Sequence, residues 1–513
     1  MISFQVGAMR ASPAIPVLPP VLPRWPSPLR GRASERPPER HDGVAMALGR
    51  IRAEALFWPA VRAKAARPRA VALSREALAA ARAAFPDADI AVRPDLAAVD
   101  PERLEAVFAS PGAGAEDEAP ALVWATLVWA TLGGIATPGR PAPDAAALLA
   151  GAEGVSPWTG EPLTLAEAVD AQALLRARAM AARGPLRLVG MTRWKRRCLA
   201  PFLTGPDGPP VAARSGAGRG AVLWGGGAAA HDAALRVEDG FLRSVGLGLR
   251  HTPPLSLTIR AGAPHFDATA PNAFDATVAE ADFTPGLLAR AARLRAAVAA
   301  LGVTKYNLGG DEALPDRADR EAVLVPGQVA TDASIRLGAG AVRTDLALLE
   351  AARARFPDAF LLYKPHPDVA TGLRAGAAAP EAVARLADAT VVRADMAACL
   401  AWCDRVATIT SLTGFEALLR CRAVTCFGRP FYAGWGLTDD ADPPPRARRL
   451  TLDELVAAAL ILHPVYVDPA TRLPCPPEIA VAALARQRAT ARRPTARAVR
   501  LWRDVVSWTL NRF

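Results

Sequence analysis

The sequence lacks the apolar runs and the cysteine patterns that would place the protein in a membrane or outside the cell. It contains no uninterrupted stretch of about 18 apolar residues, so no transmembrane helix is predicted. Proline and arginine interrupt residues 1–50 before a secretory apolar segment could form, and we therefore expect a cytoplasmic protein. Six scattered cysteines among 513 residues do not suggest a disulfide framework. No histidine completes a zinc pattern beside them, so free buried thiols are predicted.

The charge balance is strongly basic, with a formal net charge of +11. Such an excess can indicate nucleic acid, an anionic membrane surface or acidic substrates as partners. Abundant arginine and alanine are also typical of a GC-rich genome, so charge alone does not decide among these. No basic cluster is interleaved with stacking aromatic residues, and we predict no nucleic-acid binding.

Composition and periodicity divide the chain into five segments. The first is rich in proline and arginine and is predicted to be a disordered leader. The second is rich in alanine and predicted to be helical. From residue 186, short apolar runs alternate with helical patterns, which favours parallel, doubly wound sheets. The segments are 1–45 (leader), 46–185 (helical), 186–315 and 316–450 (two Rossmann-like domains) and 451–513 (helical).

We predict an α/β fold in which the two Rossmann-like domains face a cleft, with a helical N-terminal extension and a C-terminal helix. Ligands bind outside the carboxyl ends of parallel strands. This arrangement is typical of enzymes that use nucleotide sugars.

Lys364-Pro365-His366-Pro367 follows the apolar run AFLLY and therefore lies at the carboxyl end of a predicted strand. The prolines stiffen the loop, and Lys364 with His366 could neutralise a phosphate. A simple strand-ending turn with an incidental histidine fits the spacing equally well.

A second turn, TSLTGFE at 410–416, follows the apolar run RVATI. Its hydroxyl residues Ser411 and Thr413, with Gly414, would expose backbone N–H groups to an anion at a helix N-terminus. Glu416 could reach ribose hydroxyls. The alternative is an ordinary helix cap with a glutamate that complements the helix dipole.

The string RVEDGFLRS at 236–244 places two adjacent acids beside a glycine and ahead of Arg243 and Ser244. A carboxylate here acts as a base or nucleophile only if it is partly desolvated and held by neighbours. A solvated Asp-Gly turn is the local alternative. His265 and Asp267, shortly afterwards, add an imidazole and a carboxylate to which we assign no role.

The last 17 residues, 497–513, place apolar side chains at helical spacing beside several arginines. Such a helix packs on a neighbouring domain or lies in the plane of a membrane surface. The pattern leaves both readings open.

Several blocks occur in one order along the chain and together resemble a known family. They are RVEDGFLRSVGLG (236–248), PPLSL (253–257), TKYN (304–307), VPGQV (325–329), DASIRLG (332–338), YKPHPDV (363–369), TSLTGFEALLR (410–420), FYAGWGLT (431–438) and PCPPE (474–478). The series closely resembles the capsular polysaccharide β-Kdo transferases of the KpsC/KpsS type, over about Trp194 to Glu478.

The resemblance implies a GT-B fold. It also implies the transfer of Kdo, an acidic sugar, from CMP-Kdo to a lysophosphatidylglycerol-linked capsule glycan. Other capsule assembly proteins would be partners, and the inner membrane surface would be nearby. It implies retention of configuration through a carboxylate nucleophile. Asp239 takes that position, with Glu238 as the alternative and Arg243 beside them. The CMP-Kdo site would include Lys364, His366, Ser411, Thr413, Gly414, Glu416, Ser244 and Gln328. No metal or cofactor is expected, since histidine and lysine can offset the charge of departing CMP.

The sequence departs from the family pattern in two places. KpsC-type chains resemble two transferase modules in tandem, whereas this chain carries one complete set of blocks. Residues 46–185 would then be at most a decayed first module. The stretch from Trp224 to Arg236 is shorter than usual. A non-catalytic capsule assembly or export component, or a GT-B transferase for another nucleotide sugar, are the alternative functions.

Overall fold

A computed structural model describes residues 27–31, 41–54, 56, 69–73, 75–92, 99, 104–108, 145–150, 152–215, 219–225, 234–246, 252–307, 309–370, 378–446 and 448–491. The strands are β1 (Leu29–Gly31), β2 (Ala70–Ala72), β3 (Ile90–Val92), β4 (Ala106–Phe108), β5 (Ala152–Val155), β6 (Pro162–Leu163), β7 (Arg187–Val189), β8 (Val211–Ala213), β9 (Ala221–Trp224), β10 (Leu235–Asp239), β11 (Ser256–Arg260), β12 (Ala322–Pro326), β13 (Phe360–Lys364), β14 (Ala389–Thr390), β15 (Arg405–Thr408), β16 (Ala423–Cys426), β17 (Asp439–Asp440), β18 (Pro464–Val467) and β19 (Pro474–Cys475).

The α-helices are α1 (His41–Ala53), α2 (Arg75–Ala84), α3 (Ala145–Ala150), α4 (Leu165–Ala181), α5 (Arg193–Leu199), α6 (Ala273–Glu280), α7 (Pro285–Ala300), α8 (Ala333–Gly338), α9 (Asp345–Arg355), α10 (Pro367–Ala370), α11 (Pro380–Ala384), α12 (Met396–Trp402), α13 (Leu412–Leu418), α14 (Leu452–Val456) and α15 (Pro477–Ala491). A 3₁₀ turn covers Ala200–Phe202 and a π-helical turn covers Ala457–Leu462. Among these helices, none combines the length and the apolar character that crossing a bilayer requires.

Two compact units make up the described chain. The first unit contains the described residues up to Leu186, with Leu199–Val211 and Ala470–Cys475. In it, β1 pairs antiparallel with β5, and β2 lies between β3 and β4 in a small parallel sheet. Helix α4 begins at a capping box, in which the Thr164 side chain accepts from the backbone N–H of Glu167.

The second unit contains Arg187–Cys198, Ala212–Pro469 and the described residues from Pro476 onward. Its six-stranded sheet has the order β14-β13-β12-β15-β16-β17, and the pairs are parallel. Numbered along the chain, this is the 3-2-1-4-5-6 order of a Rossmann sheet, with its switch point between β12 and β15. The Rossmann-like sheet predicted for 316–450 is therefore present.

The other sheet of this unit includes the order β18-β11-β10-β9-β7. Strands β7, β9 and β10 are parallel, whereas β11 is antiparallel to both β10 and β18. The expectation of a purely parallel sheet was wrong here. The described residues between β10 and β11 form no helix, and β11 returns antiparallel beside β10.

Three segment predictions need correction. Leu29–Gly31, in the leader expected to be disordered, forms a strand in which Leu29 is fully buried. The region expected to be helical contains the parallel strands β2, β3 and β4. Alanine has a high helix propensity, so the alanines in these strands led to the prediction of helix. The C-terminal segment contributes strand β18 to a sheet. In each case a partner distant in sequence decides the structure. The rest of the five-segment division stays a prediction, and residues 497–513 lie outside the described residues.

Candidate active site

A cavity of about 710 Å³ opens in the second unit and is lined by residues from both sheets. Glu238 and Asp239 come from the sheet that contains β10, and they lie at the end of that strand. From the six-stranded sheet come the loops after β12, β13 and β15, at the carboxyl ends of those strands. The site therefore lies at the switch point of the Rossmann sheet, where such sheets bind their ligands.

Asp239 is held by one ion pair and presents a second oxygen without a partner. Its Oδ2 accepts a hydrogen bond from Arg243 Nε at 2.6 Å. Its Oδ1 is buried and has no hydrogen-bond partner among the described residues. A buried carboxylate oxygen normally has a partner. The unpartnered Oδ1 of a residue that lines the cavity therefore makes Asp239 a candidate ligand-binding group.

Arg243 and Ser244 support Asp239 from behind and are not among the described residues that line the cavity. Arg243 is buried and also donates to Ser244 Oγ at 2.9 Å and to the Thr252 carbonyl at 3.2 Å. Ser244 Oγ donates to the carbonyl of Gly246. The prediction that Ser244 binds the donor is corrected: its hydroxyl is used within the protein, and both residues position Asp239.

Glu238 is the second carboxylate at this edge of the cavity. Burial and, secondly, the neighbouring charge of Asp239 raise its pKa to about 7, against the opposing effect of Lys305, Lys195 and Arg236. Glu238 therefore exchanges a proton near neutral pH, which is the property of a general acid or base.

Gly240 follows Asp239 because no larger residue fits there. A Cβ at this position would lie 2.7 Å from the Ser256 Cβ on β11. Ser256 in turn donates to the Leu242 carbonyl at 2.5 Å. The Asp-Gly pair is thus a close approach of two strands, and the solvated turn considered from sequence is excluded.

The TKYN block (304–307), to which no function was assigned from sequence, lies beside this carboxylate pair. Asn307 takes a left-handed backbone conformation (φ 51°) and its amide donates to the carbonyls of Thr304 and Ser244. The carbonyl of Lys305 accepts the N–H groups of Arg243 and Ser244, at 3.2 and 3.1 Å. Lys305 itself lines the cavity. Sequence reasoning did not propose Lys305 as a site residue. The signal that could have found it was a lysine inside a block that resembles the family.

Lys364 and His366 both line the cavity, as predicted for a ligand site at the end of β13. Lys364 Nζ donates to the carbonyls of Ala394 at 2.8 Å and Val392 at 3.2 Å. Burial lowers the pKa of Lys364. His366 Nδ1 accepts the backbone N–H of Asp368 at 3.2 Å, so in the neutral ring Nε2 carries the proton.

Ser411 caps helix α13, where its Oγ accepts the Thr413 N–H at 3.2 Å. Ser411 and Thr413 both line the cavity, and their hydroxyls are 3.1 Å apart. The cap considered as the simple alternative is therefore present, and it lies at the cavity.

Gly414 and Glu416 differ from their predicted roles. Gly414 is not among the described cavity-lining residues. A Cβ there would lie 2.7 Å from the Tyr432 Cζ, so close packing explains the glycine. Glu416 lines the cavity, but its Oε1 accepts the backbone N–H of Lys305 at 2.7 Å. Burial raises the pKa of Glu416. The carboxylate thus fixes the Lys305 loop, which leaves less of it for a ribose.

Gln328 lines the cavity at the switch point but is used by the fold. Its Nε2 donates to Thr410 Oγ1 at 3.0 Å, and its Oε1 accepts the Thr410 N–H at 3.0 Å and the Thr408 hydroxyl at 3.3 Å. Its backbone N–H donates to Asp345 Oδ1. Gln328 therefore joins the ends of β12 and β15 and shapes the cavity floor.

Aromatic residues form one wall beside the carboxylates. Phe241 stacks on Phe431 with ring centroids 4.4 Å apart, and His265 meets Phe241 edge-on at 4.9 Å. Burial lowers the pKa of His265 well below its usual value. This histidine is neutral and belongs to an apolar wall. Asp267 caps its own loop by accepting from Thr269, and it does not line the cavity.

The described residues include no group of three or more His, Cys, Asp or Glu side chains placed to hold a metal ion. All six cysteines are free, and four are buried, whereas Cys198 is half-buried and Cys421 is exposed. A metal-free reaction stays a prediction.

The fold and the cavity define a mixed α/β protein with a carboxylate-bearing ligand site at the switch point of a Rossmann sheet. Residues 303–466 match the family described as capsule polysaccharide biosynthesis protein. Two solved structures are similar: the β-Kdo 2,7 transferase of Thermosulfurimonas dismutans KpsC (31% identity, TM-score 0.50) and its β-Kdo 2,4 transferase (32%, 0.51). They match 59% and 60% of this chain and 99% of their own chains.

Curated proteins with similar sequences have names that concern capsule polysaccharide or lipopolysaccharide. The capsule polysaccharide modification protein LipA of Neisseria meningitidis serogroup A is 40% identical over 362 residues, which is 67% of this chain and 51% of LipA. The lipopolysaccharide-processing protein LpsZ of Rhizobium meliloti is 46% identical over 237 residues, 45% of this chain and 54% of LpsZ. The chain spans about half the length of these relatives. It belongs to the KpsC-type family of capsule Kdo transferases, and the resemblance drawn from the sequence blocks is confirmed.

Proposed function

We propose that the chain is a GT-B glycosyltransferase that moves Kdo from CMP-Kdo to a hydroxyl of a lipid-linked capsule glycan, with retention of configuration. One observation carries the proposal: Asp239, whose Oδ1 has no hydrogen-bond partner among the described residues, lines the same cavity as His366 and Ser411. The cavity thus has a carboxylate on one side and groups suited to bind a phosphate on the other. A double displacement on a nucleotide sugar requires both. The solved relatives, which are β-Kdo transferases, support the choice of sugar.

In the first step, an oxygen of Asp239 attacks the anomeric carbon of the donor. The bond from that carbon to the phosphate oxygen breaks, and CMP leaves with the electron pair. Arg243 donates a charge-assisted hydrogen bond to the other oxygen and fixes the direction of attack. The product of this step is an ester between Asp239 and Kdo.

In the second step, the acceptor hydroxyl attacks the same carbon from the opposite side and the ester bond breaks. Two inversions give net retention. The hydroxyl proton must go to a base, and Glu238, with its pKa of about 7, is suited to receive it. The same pKa makes Glu238 a weaker candidate for the nucleophile than Asp239, because at neutral pH part of it is protonated.

CMP would bind at the carboxyl ends of β13 and β15. His366 Nε2 can donate to a phosphate oxygen, since Nδ1 already accepts a backbone N–H. The Lys364 ammonium has three hydrogens and uses two of them on carbonyl groups, which leaves one for the ligand. The hydroxyls of Ser411 and Thr413 complete a site that stabilises departing phosphate without a metal.

The proposal is tested by incubating the protein with CMP-Kdo and a lipid-linked acceptor, measuring CMP release, and determining the anomeric configuration of the product by NMR. We expect a β-linked product from wild type and loss of at least about 1,000-fold of the rate in Asp239→Asn, as for removal of a covalent nucleophile. Thermal protection by CMP but not by UMP or GMP is the accompanying binding result.

Other outcomes point to the alternatives. Protection by a different nucleotide would indicate another sugar donor. Unchanged CMP release in Asp239→Asn would indicate that the carboxylate is not catalytic, and no CMP release at all would favour a non-catalytic capsule assembly component. Location on the inner membrane and contact with other capsule proteins stay predictions, because the C-terminal residues 497–513 lie outside the described residues.

A further inference from the structure

Hydrogen bonds from two different segments hold the backbone of Lys305, on both its N–H and its carbonyl. Its backbone N–H donates to the buried carboxylate of Glu416 at 2.7 Å, and its carbonyl accepts the N–H groups of Arg243 and Ser244. The residue is thereby tied at once to the helix after β15 and to the loop after β10. These three hydrogen bonds fix the Lys305 backbone at the edge of the cavity that the residue lines.

The ammonium of Lys305 lies on the carboxylate side of that cavity. Lys305 Nζ is 5.1 Å from the centroid of the Tyr306 ring. Burial and the charge of Arg243 lower the pKa of Lys305, but a hydrogen bond to Tyr306 and the charge of Asp239 raise it, and the net shift is upward. Among the described residues, no carboxylate lies within ion-pair distance of this ammonium. The ammonium of Lys305 is therefore positively charged and near enough to Asp239 to feel its charge. It forms no ion pair with a carboxylate of the described residues.

The other two cations that line the cavity have different positions. Lys364 donates to the carbonyls of Val392 and Ala394, on the side of the six-stranded sheet. Arg393 is exposed at the rim. Lys305 is thus the cavity cation that belongs to the sugar end of the site, where Asp239 and Glu238 lie.

The chemistry of the donor makes a cation at this point necessary. In a 2-keto sugar acid the carboxylate is bonded directly to the anomeric carbon. When Asp239 attacks that carbon, two negative groups come within a few ångströms of each other and repel unless a positive charge lies beside them. An ordinary aldose donor carries no such group and needs no such cation.

We propose that Lys305 binds the carboxylate of the donor sugar and selects 2-keto sugar acids over neutral sugars. This inference rests on the proposed function and assigns its sugar specificity to one side chain. The ammonium offsets the repulsion between the donor carboxylate and Asp239, and it orients the anomeric carbon toward Oδ1.

The test compares the affinities for CMP and CMP-Kdo by calorimetry. Every protein carries Asp239→Asn, so that the donor is not consumed. Lys305→Met, which keeps the length and removes the charge, should weaken CMP-Kdo binding about 10- to 100-fold, the range for a hydrogen bond to a charged group. CMP affinity should change less than about 2-fold, since CMP lacks the carboxylate. Lys305→Arg should retain most of the CMP-Kdo affinity.

Lys195→Met is the matched control, because Lys195 also lies near Glu238 but does not line the cavity. It should leave the ratio of the two affinities unchanged. Equal loss of both ligands in Lys305→Met and Lys305→Arg would show a structural role and overturn the inference, as would unchanged CMP-Kdo affinity in Lys305→Met. If the Asp239→Asn parent binds neither ligand, the proposed function itself fails.

Discussion

Glu238 should make the protein less stable as the pH rises, and Glu238→Gln should remove that cost. The pKa of Glu238 is raised from about 4.5 to about 7, first by burial and then by the charge of Asp239. The folded state therefore holds the proton more tightly than the unfolded state. Stability from this group is fully present below about pH 4.5 and is lost as the pH rises through 7.

The shift corresponds to about 3 kcal/mol once both states are ionised, and to less than about 1 kcal/mol at pH 5. Glutamine resembles the protonated acid at every pH. The gain in free energy of unfolding from Glu238→Gln should thus be about 2.5 kcal/mol larger at pH 8 than at pH 5. Urea unfolding of both proteins at the two pH values measures it.

Glu280→Gln, which replaces an exposed carboxyl in helix α6, is the control for the change from acid to amide. In an Asp239→Asn background the pH-dependent gain from Glu238→Gln should shrink, because one cause of the raised pKa is gone. A gain that is equal at pH 5 and pH 8 would refute the reasoning, since it would mean that Glu238 is ionised alike in the folded and unfolded states.

Three further predictions concern the residues that build the site. Gly240→Ala should destabilise the protein by about 1–3 kcal/mol in urea unfolding because a Cβ meets the neighbouring strand, whereas Gly286→Ala, where a Cβ meets nothing within 4 Å, should not. Arg243→Lys should lower kcat about 10- to 100-fold with little change in CMP affinity, because Asp239 loses its fixed orientation; unchanged kcat would contradict the positioning role. Gln328→Ala should cost about 1–3 kcal/mol and weaken CMP binding, because three side-chain hydrogen bonds across the switch point are lost; an effect on neither would show that the bridge is unimportant.

The six-stranded sheet was predictable from sequence because its central strands β12 and β13 are buried along their length and bounded by clear turns. Strand β12 (AVLVP) is fully buried along its length, and helix α9 runs over residues 345–355 between β12 and β13. The first unit was less predictable. Its strands β2, β3 and β4 are three residues long and contain alanine, so burial against distant partners, and not local propensity, makes them strands.

Within the site, sequence pattern found side chains that face the cavity but could not tell them from side chains that hold the fold. Asp239 and His366 line the cavity, whereas Ser244 and Gly414 lie behind it. Hydrogen bonds between distant segments make the difference, such as the one that ties Glu416 to Lys305. These pairings have no local signature.

The central claim is that Asp239 becomes covalently attached to the sugar. Intact-mass spectrometry after incubation with CMP-Kdo, without acceptor, tests it most directly, with peptide mapping to locate the adduct. We predict an added mass of one Kdo residue on Asp239, present in Glu238→Gln and absent in Asp239→Asn. An adduct on another residue would contradict the account, as would the absence of an adduct together with a product of inverted configuration once acceptor is added.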